Sequence, residues 1–177
     1  SYPIVLGHEF SGIVNDIGRN VTSIKVGDHV VVAPLIPCHK CGDCKKGNYS
    51  LCKHYSFIGS RQQGANADYI VVPEQNVIKI NESVSFEQGA LFEPSTVALH
   101  AVYLNDYKPG GYVAVLGGGT IGIFALQWAR IMGAKKVIVF GRDKGHLELS
   151  LRMGADSVIS TQDENFLDRA MKETNGY

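Results

Sequence analysis

The sequence lacks an excess of either charge and lacks any long apolar run. Its 177 residues carry 17 Lys and Arg against 17 Asp and Glu, so the formal net charge is zero. A neutral chain offers no basic field to nucleic acid or to an anionic membrane. No apolar run approaches the roughly 20 residues that span a bilayer, and the start has no signal-peptide pattern. We therefore expect a cytoplasmic protein with small-molecule partners.

Internal repeats and low-complexity segments are also missing, which excludes repeat architectures. Hydrophobic residues make up 45% of the chain, which is enough for one large domain or two small ones. The sequence has no initiator Met and its end carries no closing element after a helical pattern. We therefore expect a chain that is cut at both ends.

Short segments near the N-terminus alternate apolar and polar residues between Gly, Asn and Pro turns. This pattern predicts short strands of a small barrel or sandwich. The segments are residues 10–14, 29–33, 69–72 and 77–80.

From about residue 110 the pattern changes to apolar runs that alternate with helical periodicity. Residues 112–116 predict a buried strand, and the next helix places Ile121, Phe124, Ala125, Trp128 and Met132 on one face. A strand, a helix and a strand follow at 136–140, 147–153 and 157–159. Such alternation predicts a parallel sheet with crossover helices, and residues 93–107 predict a helix that joins the two parts.

All four cysteines lie in one short stretch, Cys38-x2-Cys41-x2-Cys44-x7-Cys52. Four thiolates in a loop suit a tetrahedral zinc ion, and full coordination by protein leaves no position for substrate. The charge of such a centre would be offset by four nearby lysines, Lys40, Lys45, Lys46 and Lys53. Disulfides, free thiols or an iron–sulfur cluster are the alternatives, although ferredoxin runs place the fourth Cys sooner and before a proline.

A second candidate metal site begins at Gly7-His8-Glu9. A His beside a carboxylate suits a metal site, but the same pair also suits a solvated turn. Neighbouring strand residues face opposite sides, so His8 and Glu9 can share one ion only if the backbone kinks, as Gly7 permits. Glu93 is either a further ligand in an apolar stretch or a helix N-terminal acid.

A glycine-rich loop lies between the predicted strand 112–116 and the helix that follows. Its sequence, Gly117-Gly118-Gly119-Thr120-Ile121-Gly122, fits the dinucleotide pattern, with Gly117, Gly119, Thr120, Ile121 and Gly122 as candidate cofactor-binding residues. A purely structural glycine turn is the alternative. The next strand ends in Gly141-Arg142-Asp143 instead of the usual acid, so Arg142 could pair with the 2′-phosphate of NADP, while Asp143 could still serve NAD.

Taken together, these motifs resemble the medium-chain zinc-dependent alcohol and polyol dehydrogenases. The resemblance rests on Gly7-His8-Glu9, on residues 26–30, on the four-cysteine stretch, on the glycine loop and on residues 153–156. It implies an α/β plus β chain, with a GroES-like β-barrel catalytic domain at 1–92 and a Rossmann doubly wound parallel sheet at 93–177. Glu93-Pro94 is similar to the sorbitol dehydrogenase branch.

The resemblance also implies an activity and a set of roles. His8, Glu9 and Glu93 would hold a catalytic zinc, and Cys38, Cys41, Cys44 and Cys52 a structural zinc. Zinc would act as the Lewis acid while a hydride passes between a secondary alcohol and NAD or NADP.

The segments 57–64 and 67–72 resemble those of branch members that act on galactitol 1-phosphate. The implied substrate is therefore a polyol or polyol phosphate, with Arg61 as a candidate phosphate ligand. The implied assembly is a homo-oligomer. The family's first zinc ligand and proton relay would lie upstream of His8, so we expect these 177 residues alone to be inactive. The alternative is a non-catalytic nucleotide-binding protein that keeps only the structural zinc.

Overall fold

The chain divides into two units, Ser1–Glu93 and Pro94–Tyr177, in a computed structural model that describes residues 3–105 and 107–176. The first unit carries five short strands. These are β1 (Ser11–Ile13), β2 (His29–Val32), β3 (Leu35–Ile36), β4 (Ser56–Phe57) and β5 (Val77–Lys79). One antiparallel sheet has the order β1-β2-β5, and β3 pairs with β4 in a second.

The central strand β2 is held at its start by a buried carboxylate. Asp28 accepts a hydrogen bond from the backbone N–H of Lys25 at 3.0 Å and one from Lys79 Nζ on β5 at 2.5 Å. The bond from Lys79 is the main reason that the pKa of Asp28 lies below its ordinary value. A buried charge that is paired in this way fixes the approach of β5 to β2.

The prediction of a strand at 69–72 is wrong. These residues pair with no strand within 3–105 and 107–176, and Tyr69 and Val71 are 75% and 94% exposed. Alternation of apolar and polar residues shows which side chains a partner strand would bury, but it does not show that a partner strand exists. Among the described residues no strand pairs with 69–72. Two strands that the pattern did not predict, β3 and β4, are each two residues long.

Short helical segments connect the strands of the first unit. α1 (Gly42–Lys45) and a 3₁₀ turn (Tyr49–Leu51) lie in the cysteine-rich stretch, and a second 3₁₀ turn (Glu74–Asn76) precedes β5. α2 (Phe86–Ala90) begins at a capping box in which Ser85 and Gln88 each bond the other's backbone N–H. α3 (Phe92–Leu104) follows directly and crosses the division between the units.

The second unit alternates strands and helices as the apolar runs predicted. Its strands are parallel, in the order β6-β7-β8. The elements are β6 (Tyr112–Leu116), α4 (Thr120–Ile131), β7 (Lys136–Gly141), α5 (Lys144–Arg152), β8 (Ser157–Ser160) and α6 (Phe166–Glu173).

Helices cover both faces of this sheet. Val137 and Val139 of β7 pack with Leu126 of α4 and Leu147 of α5 on one face. Ile138 and Phe140 point to the other face, where Phe166 of α6 lies against them. A parallel sheet with helices on both faces is the doubly wound arrangement, whose ligands bind beyond the carboxyl ends of the strands.

Among the residues that the structure describes, no helix combines the length and the apolar character that crossing a membrane requires.

Candidate metal centres and nucleotide site

The four cysteines converge in the way that a tetrahedral ion requires. Cys38 Sγ lies 3.9 Å from Cys44 Sγ, and Cys41 Sγ lies 4.0 Å from Cys52 Sγ. A tetrahedron with zinc–sulfur distances of about 2.3 Å has edges of roughly 3.8 Å. All four are free thiols, since a disulfide needs about 2.05 Å between sulfurs. The cluster therefore fits a zinc ion.

Local backbone structure places these sulfurs and sets their charge. The N–H of Cys38 donates to Cys52 Sγ at 3.3 Å, and the N–H of Cys41 donates to Cys38 Sγ at 3.4 Å. The N–H of Cys44 is the main reason that the pKa of Cys41 falls to about 6, whereas burial raises the pKa of Cys44 to about 12. Four thiolates at this spacing are therefore stable together only around a cation.

His8, Glu9 and Glu93 form the second cluster. Each offers one ligand atom, and these three atoms all lie within 4.8 Å of one another. The ring of His8 packs edge-on against Phe57, with 5.3 Å between ring centroids. Glu93 is half-buried, and burial raises the pKa of its carboxyl, an effect that the nearby His8 opposes. A nitrogen and two carboxylates at this spacing suit one divalent cation.

The kink that this cluster needs is present at Gly7, whose φ is +100°. Two other glycines allow the chain to pass against it: a Cβ on Gly59 would lie 2.4 Å from Gly7 O, and one on Gly64 would lie 2.4 Å from Leu6 O. The N–H of Ala65 also donates to Gly7 O at 3.0 Å. In the sequence Gly59 and Gly64 stand out only as part of the family resemblance, and no local pattern shows that they pack against Gly7 beside His8.

The glycine loop joins β6 to α4. Gly117 has a φ of +107°, and its N–H donates to Phe140 O on β7 at 2.7 Å. A Cβ on Gly122 would lie 1.8 Å from Gly117 O, so only glycine fits there. Gly119 is the N-cap of α4 and, as a glycine, contributes no side-chain cap to that helix. Its N–H groups are therefore open to an anion.

A cavity of about 510 Å³ opens on this loop. It is lined by Gly117, Gly118, Gly119, Gly141, Arg142, Asp143, His146 and Gln162. Three predicted residues, Gly117, Gly119 and Arg142, meet here, whereas Thr120, Ile121 and Gly122 form the helix start behind the loop. His146 and Gln162 were not predicted, because only the fold brings α5 and the end of β8 to the same edge.

Arg61, the candidate phosphate ligand, stacks on Tyr55. Its guanidinium carbon lies 4.0 Å from the centre of the Tyr55 ring, and Nη2 donates to Tyr55 Oη at 3.1 Å. The side chain is exposed. It lies in the loop after Phe57, the residue that contacts His8.

Two clusters that could each hold a metal ion, followed by a doubly wound unit with a dinucleotide-type loop, are the combination expected of metal-containing, nucleotide-dependent dehydrogenases. Comparison with known families agrees with that class. Residues 1–82 match the alcohol dehydrogenase GroES-like domain, and residues 120–177 match the zinc-binding dehydrogenase family. The chain belongs to the medium-chain zinc-dependent alcohol and polyol dehydrogenases. The predicted family and fold class, a GroES-like domain with a Rossmann-type sheet, are confirmed.

The relatives are named as dehydrogenases or reductases. Galactitol 1-phosphate 5-dehydrogenase of Escherichia coli K12 is 42% identical over 92% of this chain and 47% of its own length. D-xylulose reductase A of Aspergillus oryzae is 37% identical over 98% of this chain and 49% of its own. A zinc-binding dehydrogenase of Sinorhizobium meliloti 1021, solved bound to NADP, has a TM-score of 0.89 and 36% identity, covering 92% of this chain and 47% of its own. The chain thus spans about half the length of the relatives it matches.

Proposed function

We propose that the full-length protein transfers a hydride between a secondary alcohol of a polyol or polyol phosphate and NAD or NADP. The alcohol carbon gives a hydride to the nicotinamide and the hydroxyl gives up a proton, so that a ketone, NAD(P)H and H⁺ are formed. The observation that carries this proposal is the convergence of His8, Glu9 and Glu93 within 4.8 Å. That cluster is what distinguishes an enzyme from a protein that holds only a structural zinc.

These three residues would hold the catalytic zinc. When bound, zinc supplies Lewis acidity that makes a nearby hydroxyl more acidic. His8 would contribute an imidazole nitrogen, and its ring packs edge-on against Phe57. Glu93 contributes a carboxylate in a partly buried position, where a cation compensates the burial that raises its pKa. Glu9 is exposed and would add a second carboxylate.

The cysteine cluster has a different role in this proposal. Its four sulfurs fill a tetrahedral shell, so a zinc ion there has no open position for substrate. It would hold the segment 38–52 in place.

The nucleotide would lie on the glycine loop. Its pyrophosphate would meet the N–H groups at the start of α4, where the helix dipole favours an anion. Gly117 and Gly119 allow that close approach, and Gly122 lets α4 pack against the loop. A similar protein that was solved bound to NADP supports a nucleotide cofactor.

Zinc analysis and a substrate panel on the full-length protein test the function. We expect two zinc ions per chain and reduction of NAD or NADP with polyols or their phosphates, because the chain carries two metal clusters. One zinc per folded chain, with no turnover of any polyol, would support the non-catalytic alternative instead. The cytoplasmic location and the homo-oligomeric state stay predictions.

Substrate choice depends, in our proposal, on Arg61, and galactitol 1-phosphate is the preferred candidate. Arg61→Ala should raise the KM for the phosphorylated polyol by about 10- to 100-fold, since hydrogen bonds between charged groups contribute about 1.5–3 kcal/mol each. The KM for an unphosphorylated polyol should not change. Arg19→Ala, at another exposed arginine, is the control. Equal effects of Arg61→Ala on both substrates would remove Arg61 from phosphate recognition.

A further inference from the structure

The ribose end of the nucleotide cavity lacks the carboxylate that usually marks NAD binding. In doubly wound dinucleotide sites an acid at the end of the second strand accepts hydrogen bonds from the ribose 2′-hydroxyl. Here β7 ends at Gly141, which lines the cavity but has no side chain. A Cβ at Gly141 would lie 3.1 Å from Leu147 Cδ2, so even a small side chain is crowded there.

Asp143, the acid nearest to this position, is already engaged, because one oxygen of its carboxylate caps a helix. Its Oδ1 accepts the backbone N–H of His146 at 2.8 Å, which makes Asp143 the N-cap of α5. Oδ1 also lies 3.7 Å from Nδ1 of His146. Turning the carboxylate toward a ribose would give up a cap of about 1 kcal/mol.

Hydrogen-bond donors surround the same place. Arg142 directly follows Gly141, is exposed, and is one of the residues that line the cavity. His146, one turn into α5, and Gln162, just after β8, line it from two other elements. The only carboxylate among the lining residues is Asp143. The residues that line this part of the cavity therefore suit a 2′-phosphate better than the neutral hydroxyls of an unphosphorylated ribose.

We infer that this protein selects NADP over NAD, with Arg142 as the main ligand of the 2′-phosphate and His146 and Gln162 as further donors. The inference rests on the proposed function, since it names the cofactor of that same site. Arg142 was a candidate from the sequence. The fold adds two facts that the sequence does not show: Asp143 caps α5, and His146 and Gln162 line the cavity.

The test measures nucleotide binding rather than turnover. Isothermal titration of the full-length protein compares adenosine 2′,5′-bisphosphate with 5′-AMP, which differ only in the 2′-phosphate. We expect the bisphosphate to bind about 10-fold or more tightly, as one charge-assisted contact to a phosphate predicts. Arg142→Ala should remove most of this difference and leave 5′-AMP binding unchanged. His146→Ala should remove a smaller part.

Lys144→Ala is the matched control, because Lys144 is exposed at the start of the same helix but does not line the cavity. Equal binding of both nucleotides to the unmodified protein would overturn NADP selection and leave the proposed function intact. A preference that survives Arg142→Ala would overturn the role of Arg142. If neither nucleotide binds, and neither NADH nor NADPH binds, the proposed function itself fails.

Discussion

His8→Ala in the full-length protein should reduce the zinc content from two ions per chain to one and lower kcat by about 10³-fold or more. His8 is the one nitrogen donor among the three residues of the second cluster. Without it the cluster keeps its two carboxylates, one of them exposed, and any ligand contributed upstream of His8, a set that we expect to hold zinc less tightly. Loss of a Lewis acid that contributes several kcal/mol corresponds to a decrease of about this size, since each 1.36 kcal/mol is tenfold in rate.

Elemental analysis and steady-state kinetics on the same preparation check this result. His100→Ala is the control, because His100 is an exposed histidine on α3 outside both clusters. An unchanged melting temperature would show that His8→Ala affects the metal and not the fold. A variant that keeps both zinc ions and its kcat would disprove the assignment of His8 and, with it, the catalytic role of the cluster.

The sequence predicted the second unit well because its strands are buried on both faces. The apolar runs at β6, β7 and β8 are continuous, and the helices between them show a clear apolar face, so each element was located to within a few residues. The first unit was harder to predict. β3 and β4 are too short to show any period, and the alternation at 69–72 lacks a partner strand.

The candidate sites also differ in how far the sequence alone predicted them. The cysteine cluster is visible as a spacing because all of its ligands come from one short loop. Glu93 lies close to His8 only because the sheet and α2 bring the chain back to its first residues. No local sequence pattern shows that these two residues are neighbours. Only the family resemblance links Glu93 to His8 at the level of sequence. The role of Asp143 could not be decided from the sequence either, because an acid after a strand can bind a ribose or cap a helix N-terminus equally well.

Cys44→Ser should remove the other zinc and unfold the segment 38–52, while the zinc at His8 stays. Cys44 and Cys52 are 6% and 3% exposed and are the buried residues of this stretch. α1 has only four residues, which is too short to be stable without tertiary support. Metal binding therefore supplies most of the folding free energy of the segment. A loss of about 3 kcal/mol should lower the melting temperature of the full-length protein by several degrees.

Limited proteolysis and zinc analysis distinguish this variant from His8→Ala. Cys44→Ser should become sensitive to cleavage within residues 38–52 and keep one zinc, whereas His8→Ala should keep one zinc and resist cleavage there. Ser50→Ala, at an exposed residue of the same segment, should behave like the unmodified protein. If Cys44→Ser retains two zinc ions and a protected segment, the four sulfurs do not hold a structural metal. Because the two variants should each lose a different ion, the same pair of measurements separates the catalytic centre from the structural one.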